Sequence, residues 1–439
     1  MGSDGVYMTK NKIIVLDDDP TGSQAVHGCL LLTRWDTETL RAGLADSAPL
    51  FFILTNTRAM SPERAAAVTR EVCCNLQQAL LGSGINPVLV SRSDSTLRGH
   101  YPVETDVMAE LLGPFDAHFL VPAFFEGGRT TRDGTHYLRV DGVDTPVHET
   151  EFARDSLFGY HHSYLPDYVE EKTQGRIVAA DVVHLTLDAI KEGVLPRLLA
   201  LANNQCCVVD AQGYDDLNRF TAAVRAAASE GKRFLFRSAA SLVKALADLP
   251  VQPVVAEAMG QFNRGGRAGA VLVGSHVEKS SRQLARLLQE PGVTGIEIDV
   301  SRLPGAHDEL LHTALAQVEA AFAAGRTAVI YTRRGEVVFP DARQRLAFGE
   351  AISALLMALV RGLPRALGFL ISKGGITSND VLSEGLALNA ARLLGQVEAG
   401  VSVVRCPDDH PRFPLLPVVI FPGNVGDDEA LARVCQRFS

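Results

Sequence analysis

The 439-residue chain has one tryptophan, and its seven cysteines include no Cys-x-x-Cys pair. An odd cysteine count without paired spacing argues against a disulfide framework or a zinc module and points to reduced, mostly buried thiols. The adjacent pairs Cys73/Cys74 and Cys206/Cys207 fall in a helix-like and a strand-like run. No apolar stretch reaches the roughly 20 residues that cross a bilayer; Ala354 to Val360 is far too short. The start does not combine a basic segment, an apolar stretch and a small-residue cleavage site. Met1 to Lys10 therefore reads as a loose leader, and a soluble cytoplasmic protein without a membrane partner is expected. Basic residues are in deficit, 42 Lys and Arg against 51 Asp and Glu, for a net charge of −9. That balance excludes a broad phosphate-backbone footprint and hence a nucleic-acid partner, but not a local basic pocket. The Gly-x-x-x-x-Gly-Lys-Ser/Thr, Gly-x-Gly-x-x-Gly, His-Glu-x-x-His and Gly-x-Ser-x-Gly strings are also missing, so any nucleotide must be held some other way.

What is present is alternation. Short apolar runs (Ile13–Leu16, Cys29–Thr33, Phe51–Leu54, Val88–Val90, His118–Val121, Cys206–Val209, Phe234–Phe236) are separated by helical patterns such as Pro62–Leu80. Strands apolar almost throughout and alternating with amphipathic helices imply a mostly parallel sheet covered on both faces. The pattern dissolves between Asp133 and Ile177, which reads as a long surface excursion, a lid or site wall, with His161 and His162 as surface residues. A Pro- and Gly-rich stretch from Pro250 to Ala268 marks a junction. Alternation then restarts with Ala270–Val273, Gly295–Ile298, Ala328–Thr332, a long helix from about Ala342 to Arg361, Phe369–Ser372 and Val418–Phe421. The fold class is therefore two α/β domains in series, 11–250 and 268–439, each with a mostly parallel sheet flanked by helices.

Ligands of open α/β sheets collect at the carboxyl ends of the strands. The first strand ends in Asp17-Asp18-Asp19-Pro20-Thr21-Gly22, a carboxylate cluster that needs donors, a cation or a proton to offset its repulsion. After Val88–Val90 comes Arg92-Ser93-Asp94-Ser95-Thr96-Leu97-Arg98-Gly99, with two guanidinium forks, a carboxylate and several hydroxyls, as a small anionic polyol requires. Pro122 to Thr131 ends a third strand and supplies Arg129 and Thr130. In the second half Gly274-Ser275, Ser372-Lys373-Gly374-Gly375-Ile376-Thr377-Ser378 and Pro422-Gly423-Asn424 all follow strands, and together they suit a polyphosphate.

These strings resemble the four-carbon acid sugar kinase family. Its Ala-Asp-Asp-Leu-Thr-Gly is similar to Asp17 to Gly22, its Asp-Ser-Thr-Leu-Arg-Gly is matched in full by Asp94 to Gly99, and its Pro-Ala-Phe…Gly-Arg-Thr-Thr…Gly resembles Pro122 to Gly134. Gly274-Ser275, Gly374 to Ser378 and Gly423 to Gly426 resemble its later loops. The resemblance implies a front domain that binds a sugar acid such as threonate, erythronate or an oxo-tetronate. It implies a rear domain that binds ATP, with Mg2+ carried by the nucleotide rather than by a ligand set of the protein. Phosphoryl transfer to the terminal hydroxyl would occur in the interdomain cleft, and homo-oligomerisation is left open. Asp94, Arg98 and Asp19 are the implied catalytic residues. Asp18, Asp19, Arg92, Asp94, Ser95, Arg98, Arg129 and Thr130 would face the substrate, and Ser275, Gly374, Gly375, Ile376, Thr377, Gly423 and Asn424 the nucleotide. Arg98 is expected to anchor the substrate carboxylate, and crowding among Asp17, Asp18 and Asp19 to raise the pKa of a base. Asp17 and Ile376 depart from the family pattern. Asp17-x-Asp19-x-Thr21, with Thr55 after a later strand, also fits an aspartate-nucleophile phosphatase using Asp17. A non-enzymatic sensor of sugar acid or nucleotide is the third reading.

Overall fold

The computed structural model describes residues 10–140, 142–303, 305–333 and 342–439; all of the expected leader but Lys10 lies outside them. The chain divides into two compact units, Met1–Pro250 and Val251–Ser439.

The strands of the first unit are β1 (Lys10–Asp17), β2 (Leu30–Leu32), β3 (Leu50–Leu54), β4 (Ile85–Arg92), β5 (Ala117–Val121), β6 (Arg129–Arg132), β7 (Thr135–Val140), β8 (Val143–Pro146), β9 (Val183–Leu185), β10 (Gln205–Val209) and β11 (Phe234–Ser238). Eight of them form a parallel sheet in the order β2-β3-β1-β4-β11-β5-β10-β9. β3 and β5 are buried at every position, as strands covered on both faces must be. Phe119 on β5 anchors one layer, with ring centroids 5.2 Å from Phe220, 5.3 Å from Phe234 and 5.5 Å from Phe236. Helix Pro62–Leu80 starts where Ser61 caps the Arg64 amide and proline opens the first turn, a favourable helix start. Cys73 is buried on that helix, and Cys206 and Cys207 are buried on β10.

The 133–177 segment differs from the expected surface excursion. Its β7 and β8 join β6, just ahead of it, in a separate antiparallel sheet. Tyr160, Leu165, Tyr168 and Val169 are buried with Leu97, Tyr101 and Leu120. Its weak periodicity reflects short elements that bury single large side chains rather than one continuous face.

In the second unit the strands are β12 (Ala270–Val273), β13 (Val293–Ile298), β14 (Thr327–Thr332), β15 (Leu370–Lys373), β16 (Ala390–Glu398), β17 (Val401–Arg405) and β18 (Pro417–Phe421), ordered β13-β14-β12-β15-β18-β17-β16. The first five are parallel, and β17 pairs antiparallel with both β18 and β16. The long helix spans Ala342–Gly362. The Pro250–Ala268 stretch, expected as a junction, is part of this unit beyond Pro250. Met259 is fully buried with Phe369 and Phe438, and Asn263 donates to the Phe438 carbonyl.

Both sheets have a switch point. From β1 the chain fills one side with β2 and β3 and then crosses to β4; from β12 it fills one side with β13 and β14 and then crosses to β15. The crevices so opened lie at the carboxyl ends of β1/β4 and β12/β15, where the motifs stand.

Candidate functional site

In the first unit, register places Asp17 beside Arg92 at the paired ends of β1 and β4. Asp17 is 0% exposed; its Oδ1 lies 3.3 Å from Arg92 Nη1, and its Oδ2 has no hydrogen-bond partner. Burial pushes its carboxyl up to about 7, against the pull of Arg92 and with help from the charges of Asp18 and Asp19. The raised pKa expected from crowding is thus found, but on a sealed residue and mainly through desolvation.

Above it, one guanidinium gathers the other carboxylates. Arg58, on the turn Thr57–Ala59 after β3, pairs with Asp18 and lies 3.3 Å from Asp19 and 3.9 Å from Asp94. Asp94 also accepts from Arg98 Nε at 2.8 Å and from the Thr96 hydroxyl. Burial works to raise the Asp94 carboxyl, but Arg58, Arg98 and these hydrogen bonds hold it well below the usual carboxylate range. Asp19 is likewise held low, burial being outweighed by Arg58 and Thr21. Ser93 Oγ bridges Asp18 at 2.6 Å and Arg237 Nη2 at 2.8 Å, and Arg237 is itself paired with buried Glu104. A cavity at this strand end is lined by Ser93, Asp94, Arg98, Tyr168, Arg237 and Ser238, among others.

The Asp94–Gly99 turn is held from the far side by the 133–177 segment. His136 Nε2 meets the Ser95 carbonyl at 2.8 Å, Tyr160 donates to Thr96 at 2.7 Å and Tyr168 to Leu97 at 2.8 Å. Three successive buried carbonyls are thereby satisfied while Leu97 stands at φ 66°. His136 is pushed down to about 4, chiefly by burial, so it is neutral at physiological pH, with Nδ1 accepting a hydrogen bond from the Thr131 hydroxyl at 2.9 Å. Gly99, at φ 121°, leaves no room for a Cβ against Ser93, Arg237 and Asp18. The segment is a brace for the motif. Replacing Tyr160 and Tyr168 together by Phe leaves two buried carbonyls unpaired, at about 1–3 kcal/mol each. We expect a lower melting temperature and about a tenfold fall in kcat/KM, checked by calorimetry and steady-state kinetics.

Asp18, Asp19, Asp94 and Arg98 therefore converge as expected. Arg92 lies beneath them, committed to Asp17 and 5% exposed, and Ser95 is buried with its carbonyl engaged. Arg129 is near enough to be affected by Asp94 and Arg98, yet among the described residues no carboxylate pairs with it. It donates to the Gly127 carbonyl, stands 5.8 Å from the Phe124 ring, and its Nε is buried without a partner. Thr130 pairs with Tyr137 within the small sheet. Arg58 and Arg237 were not singled out from sequence. Arg58 follows the apolar end of β3, where the strand-end rule points; Arg237 lies inside β11 and carries no such signal.

In the second unit Gly274-Ser275, Gly374-Gly375 and Gly423-Asn424 end β12, β15 and β18. Gly374, at φ 123°, donates to the Phe421 carbonyl at 2.8 Å, and a Cβ at Gly274 would overlap the Thr377 hydroxyl. Ser280 Oγ joins two of the loops, 2.9 Å from Ser275 Oγ and 2.8 Å from the Gly423 carbonyl. Ile376 is 65% exposed on this side. His161 is exposed and bound to Glu171. Among the described residues no group of three or more His, Cys, Asp or Glu is placed to hold a metal ion, and no helix is long and apolar enough to cross a membrane.

Residues 13–246 match a sugar-binding N-terminal domain and residues 270–431 a nucleotide-binding C-terminal domain. The chain belongs to the four-carbon acid sugar kinase family. Among its relatives, a D-threonate kinase from Bordetella bronchiseptica is 27% identical over 96% of both chains. Another, from Cupriavidus necator, is 28% identical over 97% of this chain and 98% of its own. A D-erythronate kinase from Heliobacterium modesticaldum is 28% identical over 219 residues, about half of either chain. Solved structures from Salmonella typhimurium LT2 (TM-score 0.72, 18% identity, 98% of this chain and 100% of that one) and Haemophilus influenzae (0.65, 16%, 97% and 100%) have the same fold.

Proposed function

We propose that the protein transfers the γ-phosphoryl group of ATP to the terminal hydroxyl of a four-carbon sugar acid. The observation that carries this is the carboxylate–guanidinium cluster at the β1/β4 switch point, together with full-length relatives that are D-threonate kinases. Arg129, whose guanidinium has no carboxylate partner among the described residues, suits the substrate's carboxylate better than Arg98, which is committed to Asp94 and packed 4.8 Å over the Phe152 ring. Asp94, ionised at neutral pH, accepts the hydrogen bond of the attacking hydroxyl and orients it, with Asp18 and Asp19 held behind it by Arg58. Phosphoryl transfer asks for such positioning and charge neutralisation more than for a strong base. Magnesium arrives with the nucleotide and offsets phosphate charge. Gly374–Thr377, Ser275, Gly423 and Asn424 cradle the phosphates.

The phosphatase reading requires Asp17 to be exposed and ionised. Asp17 is not exposed, being sealed beneath the loop, and with its carboxyl raised to about 7 it is only partly ionised at neutral pH. Incubation with MgATP and D-threonate, D-erythronate or 3-oxo-tetronate is expected to yield one monophosphate, read by mass spectrometry. ATP left intact with every acid overturns the proposal.

A further inference from the structure

Lys373 is the last residue of β15 and is 0% exposed. Among the described residues no carboxylate pairs with it. Its ammonium lies 4.0 Å from the Phe421 ring centroid and donates to the carbonyls of Pro422 and, at 3.3 Å, Gly423. Ser280 Oγ donates to the same Gly423 carbonyl at 2.8 Å. A trans peptide is planar, with its N–H opposite its C=O. Drawing these two carbonyls inward therefore turns the amides of Gly423 and Asn424 the other way. Neither amide donates a hydrogen bond within the described residues, Gly423 is part-exposed and Asn424 is exposed. A buried amino group without an anion thus stands behind two adjacent outward amides, and negative charge on the open side would favour both its protonated form and the amides.

We infer that Lys373 is the positioning residue of the nucleotide's phosphate site: it orients the Gly423 and Asn424 amides toward a phosphate oxygen, and the phosphate supplies the counter-charge that Lys373 lacks. This rests on the reading that Val251–Ser439 binds the nucleotide. Burial, and secondarily Lys279, push the Lys373 ammonium down to about 7. The other groups around it do not reverse this. β12 and β18 carry no titratable residue, Asp380 is bonded to Ser353 and Asn379, and Glu278 is paired with Arg282. An arriving phosphate favours the charged form, so binding takes up a proton, and affinity falls as pH rises above about 7.

The test is calorimetry of ADP binding to the full chain at pH 8 in buffers of different ionisation heat. The terminal phosphate of unbound ADP, a phosphoryl group with its second pKa at ~6, is already ionised there and contributes no uptake. Wild type is expected to take up most of one proton. Lys373→Met is expected to bind ADP at least tenfold more weakly without uptake, and Lys373→Arg to recover affinity without proton linkage. Should Lys373→Met fail to fold by circular dichroism, Ser280→Ala is read instead, with three- to tenfold weaker binding and uptake retained. Wild type binding ADP without proton uptake, or Lys373→Met or Ser280→Ala binding as tightly as wild type, overturns the inference and leaves the kinase reading standing. Absence of ADP binding by wild type overturns both.

Discussion

Replacing Arg58 with methionine is expected to lower turnover at least a hundredfold and to destabilise the first unit by about 3 kcal/mol. Among the described residues Arg58 is the one side chain that reaches Asp18, Asp19 and Asp94. Removing one partner of a largely buried ion pair typically costs ~3–5 kcal/mol, because the remaining charge is left uncompensated. The lower end applies here, since Arg58 is 17% exposed and solvent screens part of the loss. Three carboxylates would then repel one another, and the pKa values of Asp19 and Asp94 would rise, since Arg58 helps hold both down. A substrate anion would meet a net negative cluster, and the hydroxyl would lose its oriented acceptor. Arg58→Lys keeps the charge but cannot bridge three carboxylates with a planar fork, so it should restore stability more than turnover. Urea denaturation and kcat are the measurements. A change below 1 kcal/mol with turnover within threefold would show that Arg58 is peripheral.

The second large effect concerns Asp17 and the pH dependence of stability. Its carboxyl is raised from 3.8 to about 7 in the folded chain, first by burial and then by Asp18 and Asp19, with Arg92 opposing. Between about pH 4 and pH 7 the unfolded chain has released a proton that the folded chain still holds. Stability therefore falls as pH rises through that window and levels off above it. At roughly 1.4 kcal/mol per pKa unit, the full effect is about 4 kcal/mol. Asp17→Asn keeps the shape and cannot ionise, so its stability should be flatter from pH 4 to pH 7 and exceed that of wild type at pH 8. Urea midpoints of both proteins at pH 4, 6 and 8 decide it. Parallel profiles would mean that Asp17 is ionised in the folded state.

Strand-end motifs were legible because a polar string after an apolar run is a local pattern. Asp17–Thr21, Asp94–Gly99 and Gly374–Ser378 each lie within a few residues, and each stands at a strand end. Arg237 was not legible: it sits inside an apolar strand, and only the pairing of β11 with β4 brings it to Ser93. β16 was missed for a related reason. Its sequence, Ala-Ala-Arg-Leu-Leu-Gly-Gln-Val-Glu, is rich in helix formers, and its alternating burial arises only from pairing with β17. The brace from His136, Tyr160 and Tyr168 onto Ser95, Thr96 and Leu97 spans 41 to 71 residues of chain and leaves no local trace.

Local order of residue types was enough to establish two α/β units, the crevices their ligands should seek, and the chemistry gathered there. Whether a given ionisable side chain meets solvent, an opposite charge or neither depended on the folded arrangement. Desolvation and Coulomb attraction act across space: neighbours in sequence, Asp17 and Asp18, end as a sealed acid and a guanidinium-bound one, and Lys373 ends as a buried amino group behind two open amides.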